Sequence, residues 1–280
     1  MDLRYFDIHS HLTEKRFDGA RETIAQKMLE QGIGTISIGV DQAESQAAVD
    51  FASQHPHVWA AIGQHPVDNK EEDFDTDWYQ NLYNQNTEKI VSIGECGLDY
   101  YWPKKDIEVG KSSEQEFLQE RERQIVLFES QIDFAIKNNL PLMLHVRSYK
   151  DADAHQDCFA ILDKKQQEHA GKIRANFHFF TEGPEIAKQI VERGFTMSFP
   201  GVITFANLDV TIQAIPLEHV MSETDSPYAA PKPFRGEDAT PLMVPEIIKK
   251  IAEIKQLPEE DVRKQLLQNT QNFFNLQKYL

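Results

Sequence analysis

The chain has 280 residues, of which 40% are hydrophobic and 26% are charged, with 13 glycines and 13 prolines. This length suits one large domain or two small ones, and the composition excludes collagen-like, low-complexity and largely disordered chains. Lysine and arginine number 29 against 45 aspartates and glutamates, a formal charge of −16, so broad electrostatic affinity for nucleic acid is not expected.

Apolar extended runs alternate with amphipathic stretches along the chain, and no linker or repeat interrupts them. The extended runs predict eight strands, at 4–9, 33–40, 57–64, 89–95, 141–146, 173–179, 195–200 and 219–224. The amphipathic stretches predict helices at 19–31, 42–54, 77–87, 115–138, 153–168, 184–193, 207–214, 242–255 and 259–276.

Strict alternation of strand and helix is typical of a parallel sheet covered by helices, and eight such units are the number that closes a barrel. We therefore predict an α/β fold, a TIM-like (β/α)8 barrel that forms a single domain over residues 1–280. An open, doubly wound sheet is the less favoured arrangement of the same elements.

The sequence also bears on the compartment. No apolar run approaches the roughly 18–20 residues that a membrane span needs, and the N-terminal MDLRYFDIHSHL lacks the apolar stretch of a secretory signal. The two cysteines, Cys96 and Cys158, are too few for a disulfide framework and lack zinc-ribbon spacing. We expect a cytoplasmic protein with no membrane contact, and nothing in the sequence calls for an obligate protein partner.

Reactive side chains concentrate at the predicted carboxyl ends of the strands, where parallel barrels form their active sites. Chance would place roughly one of the ten histidines there, but five lie at these ends. They are His9, His11, His65, His145 and His178. Two carboxylates, Glu95 and Asp225, fall at such ends as well.

Each of these positions has a structural interpretation beside the functional one. The His-x-His at His9 and His11 sends both rings to one face, which suits a shared ion but also suits two polar residues at a sheet edge. His145 and His178 follow apolar runs, where a single histidine is often a hydrogen-bonded core residue. Asp225, in SETDSPY, is equally compatible with a turn.

For Glu95 a role as a metal ligand is favoured over a structural salt bridge, because a carboxylate at the end of a buried run is costly unless a cation or hydrogen bonds compensate it. Gly94 and Gly97 leave room beside it for close approach. Four imidazoles and two carboxylates supply enough ligands for two divalent ions if one carboxylate bridges. Nitrogen and oxygen ligands without sulfur suit Zn²⁺ and also accept Mn²⁺, Ni²⁺ or, more weakly, Mg²⁺.

The motifs that contain these residues resemble, in order, those of the TatD-family metal-dependent hydrolases. The matching segments are DIHSHL, IGQHPV, SIGECGLDYY, LPLMLHVR, FHFFTEG, MSFPGVITF and SETDSPYAAPKPFRGE. They span about residues 5–240. The resemblance implies a TIM-like barrel of the amidohydrolase superfamily, a divalent-metal centre, and deoxyribonuclease or related phosphodiesterase activity.

The resemblance also implies roles for individual residues. The ligands of the first ion would be His9, His11, Glu95 and Asp225. The ligands of the second would be Glu95, His145 and His178. Glu95 and Asp225 are thus the predicted catalytic carboxylates, and Asp225 would also accept the proton of the attacking water.

Substrate contacts are predicted for His65, which matches a motif histidine near the substrate, and for Arg147 and Arg235. The acidic segment from Glu71 to Asp77 should oppose a long duplex, unless it is only the solvated entry to a helix. The segment from Tyr100 to Gln115 carries Lys104, Lys105 and Lys111 with three aromatic residues, and we expect a loop that either holds a phosphate and a base or merely packs. The expected partner is a short or single-stranded nucleic acid or a small phosphoester.

Two other functions remain open from the sequence. The same barrel and ions would serve an amidohydrolase-superfamily enzyme that acts on a small amide, lactone or ester. A metal-stabilised binding protein without catalysis is the second alternative, although every predicted ligand is retained.

Overall fold

The structure, a computed structural model that describes residues 2–279, contains one sheet of eight parallel strands in chain order. The strands are β1 (Tyr5–Ser10), β2 (Ile33–Ile38), β3 (Val58–Ile62), β4 (Ile90–Asp99), β5 (Leu142–Arg147), β6 (Ala175–Phe177), β7 (Thr196–Phe199) and β8 (Val220–Ser222). β8 returns to β1, where Ser10 and Ser226 form a parallel bridge and the Ser222 hydroxyl donates to the Phe6 carbonyl at 3.0 Å. The predicted TIM-like single-domain barrel is confirmed.

Helices follow the strands and cover the sheet. They are α1 (Arg21–Gln31), α2 (Gln42–Gln54), α3 (Thr76–Gln85), α4 (Tyr101–Glu108), α5 (Glu114–Asn138), α6 (Ala154–Glu168), α7 (Pro184–Glu192), α8 (Asp209–Ala214), α9 (Val244–Lys255) and α10 (Glu259–Phe273). Within residues 2–279, no helix has the length and apolar character to cross a bilayer.

Side-chain caps explain why several helices begin where they do. The Asp41 carboxylate accepts from the Glu44 amide and starts α2, and Asp75 accepts from the amides of residues 77 and 78 at the start of α3. Ser113 and Glu116 form a capping box at the start of α5. Such caps satisfy amide groups that the first helical turn leaves free.

The main difference from the predicted elements is α4. The sequence analysis assigned Tyr100 to Gln115 to a loop, but residues 101–108 are helical and a second helix begins at Glu114. Pro103 does not prevent this, because it lies in the first turn, where a missing amide hydrogen is tolerated. The aromatic residues that precede Pro103 obscured the helical pattern.

Strand boundaries also differ near the predicted site. β4 does not end at Glu95 but continues to Asp99, because Gly97 pairs with His145 and Asp99 pairs with Arg147 on β5. β6 is shorter than predicted, so that His178 follows the strand directly instead of lying within it. Both changes leave the side chains at the carboxyl end of the barrel.

Two apolar clusters fill the interior. The larger joins strand residues to the helices that cover them, for example Ile62 with Tyr79 and Phe134. The smaller joins Phe6 and Trp59 with Met143 and with Phe274 after α10. Burial of this apolar surface is the principal force that stabilises the barrel.

His57, directly before β3, is 1% exposed, and its burial lowers the pKa to about 4, with His55 and Lys89 acting in the same direction. The unfolded chain binds this proton below about pH 6.5 and the folded chain only below about pH 4. The free energy of unfolding therefore decreases as the pH is lowered from 6.5 to about 4. The contribution is complete above pH 6.5.

Between pH 6.5 and about pH 4, protonation of His57 is expected to lower the free energy of unfolding of the wild type by up to about 3 kcal/mol. His57→Gln has no such group, so we expect its stability to fall less over the same range. Urea unfolding at the two pH values measures it. The half-buried His169 at the end of α6 supplies a matched control, His169→Gln. Equal pH dependence in the wild type and His57→Gln would contradict the assignment.

Candidate metal centre

The first part of the site lies where the chain passes from β8 back toward β1. The Asp225 amide donates to the His9 carbonyl at 2.9 Å, and the His11 amide donates to the Ser226 carbonyl at 2.8 Å. These backbone hydrogen bonds place His9 and His11, at the end of β1, beside Asp225, which follows β8.

Three donor atoms converge there. The Nε2 atoms of His9 and His11 lie 3.2 Å apart, and Asp225 Oδ1 lies 3.6 Å from the first and 3.4 Å from the second. His9 is fully buried and Asp225 is nearly so. We call these three residues the first donor group.

Glu95 connects the first donor group to a second one. Its Oε2 lies 3.3 Å from His9 Nε2 and 3.7 Å from His11 Nε2. Its Oε1 lies 2.8 Å from both His145 Nδ1 and His178 Nε2. The two oxygens of one carboxylate therefore face different imidazoles, and the rings of His9 and His178 stack between the two sets with their centroids 3.8 Å apart.

His65 joins the second donor group. Its Nε2 is 3.5 Å from Glu95 Oε1, its ring packs edge-on against His145, and Asp68 lies 2.8 Å from its other nitrogen. His65 is predicted from the sequence to contact the substrate, and in the structure it lies among the potential metal ligands.

A glycine makes this arrangement possible. The backbone of Gly97 has φ +137°, and a Cβ atom there would lie 2.1 Å from the His145 carbonyl oxygen. Only a residue without a side chain allows β4 and β5 to approach this closely. The close approach that Gly97 was predicted to allow beside Glu95 is therefore the contact between β4 and β5.

The environment favours an ionised Glu95. Burial alone would raise its pKa, but the charges of His178 and His65 and the hydrogen bond of His145 hold that pKa well below its usual range. Burial lowers the pKa of His9 to about 4, with the charge of His178 acting in the same direction, so that its nitrogens are free of an added proton. A neutral imidazole and an ionised carboxylate are the forms that bind metal, so a bound cation would have to displace the protons that the neighbouring carboxylates favour on His11 and His145, whose pKa values are raised.

The donor set fits divalent cations. His9 and His11 present two nitrogens toward each other at 3.2 Å, and a cation between neighbouring acceptors satisfies both. The other nitrogen of His9 is buried without a hydrogen-bond partner in the described residues. Nitrogen and oxygen donors without sulfur suit Zn²⁺ or Mn²⁺.

Three carboxylates that were not predicted as part of the site lie directly behind these ligands. Asp99 Oδ2 lies 2.9 Å from His145 Nε2, and Glu223 Oε1 lies 3.7 Å from His178 Nδ1. Asp7 accepts from the His9 amide and from Thr224, which ties β1 to the segment before Asp225. Period-two spacing could have indicated Asp7 and Asp99, because they lie two and four residues from predicted ligands on the same strands.

Asp99→Asn is expected to weaken metal binding by roughly 10- to 100-fold, because the carboxylate behind a ligating imidazole fixes its ring and raises its basicity. Titration of metal-free protein with Zn²⁺ in a competing chelator measures this. Asp106→Asn, on α4, is the matched control. Unchanged affinity in Asp99→Asn would show that the contact does not support His145.

The predicted substrate-contact residues lie at the same end of the barrel. Arg147 is the last residue of β5 and is exposed, with its guanidinium 3.7 Å from the Tyr101 ring centroid. Arg235 follows β8, is exposed, and lies 3.8 Å from the Phe205 ring centroid.

For two residues of the segment after Glu95, Tyr100 and Lys104, the structure supports the packing alternative. Tyr100 is 1% exposed and donates from its hydroxyl to Asp157 at 2.6 Å, so its ring is part of the core and cannot stack a base. Lys104 is nearly buried and pairs with Glu114 at 3.1 Å, which leaves it unsuited to hold a phosphate. Lys105 pairs with Glu108 at 3.0 Å.

Comparison with known proteins is consistent with this geometry. A family model described as TatD related DNase matches residues 6–275. The chain is 30% identical over 276 residues to YabD, an uncharacterized metal-dependent hydrolase of Bacillus subtilis, covering 97% of this chain and 99% of that protein.

Two crystal structures share the fold. YjjV, a TatD homologue from Escherichia coli, superposes with a TM-score of 0.82 at 23% identity, covering 98% of this chain and 99% of that one. A TatD-family hydrolase from Entamoeba histolytica gives 0.81 at 20% identity, with the same coverage.

Proposed function

The chain belongs to the TatD-related DNase family and is a metal-dependent hydrolase, and on that premise we propose that it is a phosphodiesterase that cleaves short or single-stranded nucleic acid, at its ends, by means of an activated water. The observation that carries the proposal is the Glu95 carboxylate, whose Oε2 faces His9 and whose Oε1 faces His145 and His178. A bridging carboxylate is what a two-ion hydrolytic centre requires.

We propose that the first ion is held by the first donor group with Glu95, and the second by Glu95, His145 and His178, with His65 beside them. Divalent ions in such sites lower the pKa of a bound water and neutralise charge on a phosphodiester. The nitrogen and oxygen ligands suit Zn²⁺, and they would also accept Mn²⁺, Ni²⁺ or, more weakly, Mg²⁺.

The roles of the protein groups follow from their positions. Asp225 is 8% exposed, at the opening of the first donor group, where its carboxylate can accept the proton of the attacking water and later release it toward the leaving oxygen. Arg147 and Arg235 offer guanidinium groups to the phosphates on either side of the scissile one. Asp99 and Glu223 hold imidazoles in place and need not touch the substrate.

The charge around the entrance favours a small or single-stranded substrate. Five carboxylates lie between Glu71 and Asp77, after β3 and on the side where substrate enters. Asp75 also caps α3, so part of this charge has a structural role. The remaining negative charge should repel the paired strands of a long duplex more than a flexible strand end.

A substrate panel tests the proposal. Purified protein loaded in turn with Zn²⁺, Mn²⁺ or Mg²⁺ is expected to cleave an end-labelled single strand faster than internal sites of a duplex at physiological salt, and a chelator should abolish cleavage. Equal cleavage of internal duplex sites and of strand ends would contradict the substrate preference.

The same panel separates the alternatives. Turnover of a dihydropyrimidine, a lactone or an aryl ester, without turnover of any phosphodiester, would assign the chain to another reaction on the same scaffold. Metal binding with no turnover of any substrate would indicate a binding protein.

A further inference from the structure

Two arginine–aromatic clusters stand at the carboxyl end of the barrel. The first, which we call rim cluster A, consists of Tyr101, Trp102 and Arg147; the second, rim cluster B, consists of Phe205 and Arg235. In cluster A the guanidinium lies 3.7 Å from one ring centroid and 5.8 Å from the other. In cluster B the corresponding distance is 3.8 Å.

The rings are open to solvent. Trp102 is 52% exposed and Phe205 is 41% exposed. Neither ring is needed to fill the apolar clusters of the interior. Each therefore presents a face on which a planar group can stack.

The arginines are equally available. Within residues 2–279, neither Arg147 nor Arg235 has a carboxylate within 4.0 Å, whereas Arg121 and Arg193 pair with aspartates at 2.7 and 2.9 Å. Arg235 also donates to the Ala230 carbonyl at 3.1 Å, but a carbonyl does not neutralise its charge in this chain of net charge −16. Such groups attract phosphate oxygens.

Short hydrogen bonds tie cluster A to the metal centre and hold the two segments of cluster B together. The amide of Trp102 donates to Asp99 Oδ1 at 3.1 Å, and the other oxygen of that carboxylate lies 2.9 Å from His145. In cluster B, the turn before Phe205 is joined to the loop of Arg235 by a hydrogen bond from the Lys232 amide to the Thr204 hydroxyl at 2.9 Å. The clusters follow β4–β5 and β7–β8, two separated parts of the strand order.

We propose that rim clusters A and B are two nucleotide subsites that hold a single strand across the metal centre, each stacking one base on its exposed ring and binding one phosphate through its arginine. The inference rests on the proposed function and specifies its substrate class. It requires unpaired bases, because stacking on a side chain uses the faces that a duplex buries. Paired strands are thereby excluded from both subsites.

Binding of a phosphorothioate oligothymidylate of eight residues, which resists hydrolysis, tests the subsites separately from turnover. Arg147→Ala and Arg235→Ala are each expected to reduce the slope of log affinity against log salt by about 0.7, the value for one phosphate contact to a single strand. Trp102→Ala and Phe205→Ala are each expected to weaken binding about tenfold without changing that slope. Binding should also quench the fluorescence of Trp102.

Matched controls exist at other surfaces. Arg4 is exposed and lies 5.8 Å from the Tyr5 ring centroid at the opposite end of the barrel, and Leu118 is 58% exposed on α5. Arg4→Ala and Leu118→Ala should bind as the wild type does. Salt slopes and affinities that are the same in the rim variants as in these controls would overturn the proposal.

Turnover of an aryl phosphodiester and of a labelled oligonucleotide, measured in parallel, distinguishes the two proposals. The rim variants are expected to lower the ratio of oligonucleotide to aryl-diester turnover at least about tenfold. If the wild type hydrolyses oligonucleotides and this ratio is unchanged in the variants, the subsites are wrong while the proposed function stands. If the wild type hydrolyses no phosphodiester yet binds the oligonucleotide through the rim residues, the proposed function is wrong while the subsites stand.

Discussion

Replacement of Asp225 by asparagine is expected to lower kcat by roughly 10²- to 10⁴-fold while the barrel remains folded. The carboxylate is the proposed acceptor of the water proton, and an amide cannot accept it. The backbone at Asp225 has φ +50°, a left-handed conformation that asparagine tolerates well, so the substitution preserves the turn. The hydrogen bond from the backbone amide of residue 225 to the His9 carbonyl is also unaffected.

Steady-state kinetics and metal content, measured on the same preparation, check this prediction. If Asp225→Asn keeps its metal and loses turnover, the carboxylate acts on the proton; if it loses one ion as well, ligation is its larger role. Asp238→Asn, in the same loop but exposed, is the matched control. Retention of more than a tenth of the wild-type kcat would contradict the assignment of Asp225 as proton acceptor.

The fold was predictable from sequence because its main signals are local and repeated. Each strand is a short apolar run followed by a helix, and several of the helix starts carry a recognisable cap, as at Asp41 or Ser113. The segment from 101 to 108 was not predictable in the same way. Its aromatic residues have no helical period, and the burial of Tyr100 depends on distant partners, the Phe117 ring on α5 and the Asp157 carboxylate on α6.

The metal centre was predictable in composition but not in its finer organisation. Strand alternation brings His9 toward His11, and the barrel order brings Asp225 back to them, so the convergence follows from topology. The place of His65 does not follow, since it depends on how closely β3 and β4 approach. Asp99 was overlooked because β4 was expected to end at Glu95, and only the pairing of Gly97 with His145 carries the strand further.

Replacement of Glu95 by glutamine is expected to reduce the bound metal from two ions per chain to at most one and to lower kcat by at least about 100-fold. Glu95 contacts both donor groups, with Oε2 at 3.3 Å from His9 and Oε1 at 2.8 Å from both His145 and His178. Glutamine offers one oxygen acceptor where the carboxylate offers two, and it carries no charge to offset two cations. One of the two imidazole sets therefore loses its oxygen ligand.

Metal analysis after dialysis, together with calorimetric titration of the metal-free protein, measures the stoichiometry directly. Glu22 supplies a matched control, because it lies 3.3 Å from His55 in an exposed histidine–carboxylate pair outside the metal centre. Glu22→Gln should keep both ions, since its carboxylate faces a single imidazole. Two tightly bound ions in Glu95→Gln would mean that the imidazoles and Asp225 suffice alone, and the bridging role, with the two-ion mechanism built on it, would have to be abandoned.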